Sequence, residues 1–260
     1  MLLQLEKVSS FYGRTQILRD IDFGVTKGTC MCVLGRNGVG KTTLLRTIMG
    51  LVDKMSGTLT VSDTNLTKAR TDERAKYGLG YVPQGRQILG NFTVRENILL
   101  GTFAKADRSG KVPEICLDLF PYLAENLNRR AGELSGGQQQ QLAISRALAV
   151  DPQILLLDEP TEGIQPNIVA EIGETLRMLN KKMGISMILS EQHIKVARDL
   201  GDQFVMMDNG RIVEQGTLEV RPHRRDGQPP HDRLKTKATR NQGRKKWNLF
   251  QRREHRSERR

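Results

Sequence analysis

The sequence has no apolar run approaching the roughly 18–20 residues that a membrane-spanning helix needs. Its opening, MLLQLEKVSS, lacks a basic stretch, a long apolar core and a small-residue cleavage site, so no signal peptide is expected. Cysteine is scarce: three residues, an odd number, without the spacing of metal ligands. Cys30 and Cys32 stand two apart in an apolar run and would share one face of a strand, and Cys116 lies in the apolar stretch PEICLDLF. Buried, reduced thiols in the cytoplasm are expected, with no metal or redox role. There is no internal repeat.

Positive charge is plentiful, a formal +12, but unevenly spread. Residues 221–260 hold 15 of the 41 Lys and Arg residues and only 4 of the 29 Asp and Glu residues, so the first 220 residues are close to neutral. With few apolar residues and no sustained period, this tail is expected to be disordered in isolation. The domain boundary falls near residue 220, and the chain before it is long enough to bury a sizeable core.

Strand-like and helix-like stretches alternate through this body. LLQLEKV and QILRDIDFGV read as antiparallel strands near the start. TCMCVLG (29–35), QILLLD (153–158) and ISMILS (185–190) read as buried strands, and GLGYVP (78–83) as a strand or strand end. Helices are expected over 41–49, stopped by Gly50, near 93–103 and 112–119, and over 166–183, where Pro166 suits a first turn. Two short strands turn at Asn209-Gly210, a hairpin dipeptide. The alternation predicts an α/β fold, a mainly parallel sheet with helices on both faces.

GRNGVGKTT (35–43) joins a buried strand to an amphipathic helix and fits G-x-x-x-x-G-K-[ST]. Gly35, Gly38 and Gly40 let backbone N–H groups, with those of Asn37 and Thr43, curl around phosphate oxygens. The helix N-terminus adds partial positive charge. Lys41 can reach the β- and γ-phosphates, and the Thr42 hydroxyl can ligate Mg²⁺. ATP and Mg²⁺ are therefore the expected cofactors. ILLLDEPT (154–161) ends a second buried strand with Asp158 and Glu159 at its carboxyl end, where open α/β sheets bind ligands. Asp158 is placed to hold Mg²⁺ and Glu159 to polarise an attacking water.

Between these motifs, LSGGQQQQLA (134–143) opens an apolar helix. The ordered set of phosphate loop, Gln84 in YVPQG, LSGGQ, LLLDE and His193 in SEQH resembles the ATP-binding subunits of ABC transporters over roughly residues 1–218. The resemblance implies a P-loop ATPase with an N-terminal antiparallel β portion and a helical signature subdomain near 85–150, all within an ATPase domain of residues 1–220. It implies that Ser135, Gly136, Gly137 and Gln138 form half of an ATP site, facing the phosphate loop of a second, head-to-tail ATPase domain. It implies that Tyr12 stacks on adenine, that Gln84 touches Mg²⁺ and senses the membrane partner, and that His193 contacts the γ-phosphate. Gln139 to Gln141 are expected to form only the polar face of the first turn.

SGGQQQQ, TEGIQP and VPQGRQI look like the branched-chain amino-acid importer ATPases, and within them most like the second ATPase of the urea importer. Gln165 stands where most relatives carry an aspartate that crosses the dimer interface, and Ile88-Leu89-Gly90 where they tend to have an aromatic and a proline. The implied function is an ATP-hydrolysing motor for an importer of urea, a related amide or a hydrophobic amino acid. The implied partners are a second ATPase subunit in a heterodimer, two permeases and an extracytoplasmic binding protein, with the chain peripheral on the cytoplasmic face of the inner membrane. The alternative class is a soluble ABC-type ATPase working on nucleic acid or ribosomes through its basic tail; nucleic acid is not the expected partner, because the chain has one phosphate loop and no coiled coil. The tail is expected to be dispensable for hydrolysis.

Overall fold

The computed structural model describes residues 1–104 and 110–218. The boundary expected near residue 220 and the tail beyond it lie outside the described residues. The first two strands, β1 (Leu3–Tyr12) and β2 (Thr15–Val25), pair antiparallel. With β4 (Lys54–Val61) and β5 (Thr64–Asn65) they make a four-stranded antiparallel sheet in the order β2-β1-β4-β5.

The second sheet has six strands: β3 (Cys30–Leu34), β6 (Leu79–Val82), β7 (Ile154–Asp158), β8 (Ser186–Glu191), β9 (Gln203–Asp208) and β10 (Arg211–Thr217), ordered β10-β9-β3-β8-β7-β6. Every pair is parallel except the terminal β9–β10 hairpin. That hairpin turns on Asn209 and Gly210, both at positive φ, as the expected two-residue turn requires.

Alternating side chains on the buried strands feed two cores. Cys30, Cys32 and Leu34 point into one, while Met31 and Val33 point into the other. The second core is closed by α1 (Lys41–Met49) and the antiparallel sheet. The first is closed by helices that include α6 (Gly136–Leu148), α7 (Pro166–Lys181) and α8 (Ile194–Leu200). Between β6 and β7 the chain is mainly helical, with α3 (Val94–Thr102), α4 (Glu114–Asp118) and α5 (Pro121–Glu125) preceding α6. All three cysteines are buried, and none forms a disulfide.

Helix α2 (Thr71–Lys76) docks without an apolar face. Its anchor is Arg74, 2% exposed, whose guanidinium donates to the carbonyls of Thr47 and Ile48 at 2.6 and 2.9 Å. These are carbonyls of the last turn of α1, where the helix leaves acceptors over; that of Thr47 also accepts from the N–H of the C-cap residue Gly50 at 3.1 Å. Two more bonds reach Thr67 O and Ala69 O.

Candidate functional site

The phosphate loop leaves β3 at Leu34 and enters α1 at Lys41. Gly35, Gly38 and Gly40 all take positive φ, which lets the loop wrap tightly before the helix begins. Asn37 and Gly38 are exposed, and Thr43 is half-buried in the first turn of α1. Lys41 folds back under the loop: its Nζ donates to Gly35 O at 3.0 Å and Arg36 O at 3.2 Å, and lies 2.9 Å from Glu159 Oε1.

The acidic end of β7 is built against β8. Ser190 pairs with Asp158 across the strands, and its hydroxyl donates to Asp158 Oδ1 at 2.6 Å. The Thr42 hydroxyl donates to the same oxygen at 3.2 Å. Burial pushes the Asp158 carboxyl above the ordinary carboxylate range, and these two hydroxyls pull it back. Asp158 Oδ2 is buried and accepts no hydrogen bond. A stranded acceptor beside the helix that carries Thr42 is what a cation would satisfy, so Thr42 and Asp158 fit Mg²⁺.

Glu159 leaves the strand in the left-handed region, at φ 47°. Its N–H is held by Ser190, through the hydroxyl at 3.1 Å and the carbonyl at 3.2 Å. Its Oε2 accepts from Gln84 Nε2 at 3.2 Å and from Gln192 Nε2 at 3.4 Å. Gln84 donates to Glu162 as well, at 2.9 Å. Gln192 was not among the residues singled out from the sequence; the neighbouring residue, His193, was. His193 is exposed and stands as N-cap of α8, with its charge bearing on Glu191. Both residues lie just past the end of β8, in the turn that leads into α8.

Tyr12 ends β1, half-buried, beside the Arg46 guanidinium of α1. Ser135 to Gln138 lie at the start of α6 as a capping box: Gln138 N–H donates to Ser135 Oγ at 3.3 Å, and Ser135 N–H to Gln138 Oε1 at 2.9 Å. This S-x-x-Q pattern is readable in sequence. Gly136 lies against the Arg86 guanidinium, and a Cβ on Gly137 would sit 2.6 Å from Ile168 Cγ2 of α7. The glutamine run is not wholly a polar face. Gln139 caps Leu134 O and Gln141 reaches Glu171, but Gln140 is 3% exposed. Consecutive residues step about 100° around a helix, so a run of four must turn one inward. Gln165 is exposed and N-caps α7 without a side-chain bond.

No helix among the described residues is long and apolar enough to cross a membrane. The family described as ABC transporter matches residues 18–162. The high-affinity branched-chain amino acid transport ATP-binding protein BraG of Pseudomonas aeruginosa is 38% identical over 83% of this chain and 93% of its own. The probable branched-chain amino acid transport ATP-binding protein LivF of Archaeoglobus fulgidus is 32% identical over 83% and 92%. Among solved structures, a dimeric ATP-binding cassette in a post-hydrolysis state, bound to ADP and Pi, superposes with a TM-score of 0.74 at 27% identity, over 84% of this chain and 99% of its own. With its phosphate loop, acidic strand end and capped LSGGQ helix on the same scaffold, the chain belongs to the ABC transporter family, as one of its ATP-hydrolysing subunits.

Proposed function

We propose that this chain is the motor of an importer for a hydrophobic amino acid, or for urea or a related small amide. It would work with a second ATPase subunit, two permeases and an extracytoplasmic binding protein on the cytoplasmic face of the inner membrane. Residues 1–220 act as one ATPase unit, with residues 85–150 as its helical part. The names of BraG and LivF, and the SGGQQQQ, TEGIQP and VPQGRQI stretches, support the substrate class.

One observation carries the catalytic reading: Lys41 grips one oxygen of Glu159 while Gln84 holds the other, beside Thr42 and Asp158. ATP lays its phosphates into the N–H groups of residues 35–43, with Tyr12 stacking on adenine. Lys41 turns from Glu159 to the β- and γ-phosphates, which leaves the carboxylate free to orient a water toward the γ-phosphorus. Thr42, Asp158 and Gln84 would hold Mg²⁺, which supplies charge neutralisation at the phosphate oxygens. Ser135, Gly136 and Gly137 present the N-terminus of α6 to the γ-phosphate held by the partner ATPase. The contacts to that phosphate favour the closed pair of domains, and their loss on hydrolysis releases it.

Glu159→Gln tests this reading. It should keep ATP affinity, lose at least about a hundredfold in turnover and trap an ATP-bound dimer, because the water loses its acceptor while the phosphate contacts remain. Wild-type turnover in this variant removes Glu159 from its role. Uptake of leucine and of urea in vesicles carrying the assembled complex separates the two substrate classes.

A further inference from the structure

We propose that Gln192, rather than His193, is the residue through which the end of β8 acts on the hydrolytic carboxylate: a positioning residue whose amide, together with that of Gln84, fixes the orientation of Glu159. The inference rests on the assignment of Glu159 above.

The hydrogen bonds at the end of β8 are the first reason. Ser190 faces the site, with its hydroxyl on Asp158 and on the Glu159 N–H. Gln192, in the bend just past the strand, places its Nε2 3.4 Å from Glu159 Oε2. Glu191 accepts instead from the Thr161 hydroxyl at 2.8 Å. His193 is the exposed N-cap of α8.

The second reason is what the carboxylate has around it. Oε1 is taken by the Lys41 ammonium, whereas Oε2 is shared by two amides. The lysine is the group that phosphate competes for. The amides carry no charge for phosphate to attract, so they can keep hold of Glu159 when the lysine turns away. They approach from different segments, the loop after β6 and the end of β8, so together they restrict rotation of the carboxylate in a way that one donor cannot.

The test uses the full-length chain at a concentration that supports dimers, with single-turnover hydrolysis at saturating ATP, affinity for a fluorescent ATP analogue, and thermal melting. Gln192→Ala should lower the hydrolytic rate roughly tenfold to a hundredfold, the scale of a misplaced reacting group, with ATP affinity and melting little changed. Gln192→Glu, which keeps the volume but sets a second carboxylate against Glu159, should lose more. His193→Ala should lose at least about fivefold less than Gln192→Ala. Equal or greater loss in His193→Ala, or a rate for Gln192→Ala within about twofold of wild type, overturns the proposal. Glu159→Gln is measured alongside: turnover there refutes the Glu159 assignment itself, whereas a dead Glu159→Gln with a fully active Gln192→Ala refutes only the role of Gln192.

Discussion

Lys41 and Glu159 form a buried ion pair, Nζ to Oε1 2.9 Å, with side-chain exposures of 4% and 5%. The cation proposed to bind phosphate and the anion proposed to orient water hold each other at the junction of α1 and β7. Each is the other's principal counter-charge, so neither can be removed without consequence for the other.

Lys41→Ala should therefore do more than weaken nucleotide binding. Removing one member of a buried pair typically costs about 3–5 kcal/mol, because the remaining charge is stranded. The double variant Lys41→Ala/Glu159→Gln should recover most of that loss, since no buried carboxylate remains. Urea titration of the two single variants and the double gives the coupling. Simply additive losses would show that the pair contributes nothing to folding.

The LSGGQ turn has an intramolecular duty beside the proposed intermolecular one. Ser135→Ala removes the acceptor of the Gln138 N–H and should destabilise the chain by about 1 kcal/mol, as loss of an N-cap does. Gly137→Ala drives a methyl into Ile168 and should cost about 1–3 kcal/mol, with Ile168→Ala restoring part of it. Denaturation midpoints measure both. Unchanged midpoints would mean that α6 is set by other contacts.

Glu191 gives a pH signature. It is 2% exposed, and burial pushes its carboxyl above the ordinary range, against the opposing pull of the Thr161 hydroxyl and of His193. A carboxyl raised in the folded state binds its proton more tightly there than in the unfolded chain. Stability is then lost as pH rises from the ordinary carboxylate value through the raised one. Glu191→Gln should melt higher than wild type at neutral pH, by roughly 2–4 °C for each kcal/mol relieved. The gap should close as pH falls below the ordinary carboxylate range. A gap that stays constant with pH would show that ionisation of Glu191 is not its source.

Sequence reading reached the parts of this molecule where local spacing carries the chemistry. The phosphate loop, the acidic end of β7 and the Asn209-Gly210 hairpin are each set by neighbours in the chain. Elements held by distant partners escaped it. β4, KMSGTLTV, has few apolar residues and pairs with β1 some fifty positions away. Helix α2 is anchored by an arginine, which no apolar periodicity reveals. Gln192 was missed because residue type pointed to histidine, whereas its contact with Glu159 depends on the turn between β8 and α8, which brings together residues 33 positions apart.

Glu159 sits at φ 47°, where a side chain is disfavoured by sterics. Glycine would occupy that position more comfortably, but it would leave the buried ammonium of Lys41 without its counter-charge. Two demands therefore meet in one residue, a backbone that favours glycine and a neighbouring cation that needs a carboxylate. Relieving the first without answering the second exchanges backbone strain for an unpaired buried charge.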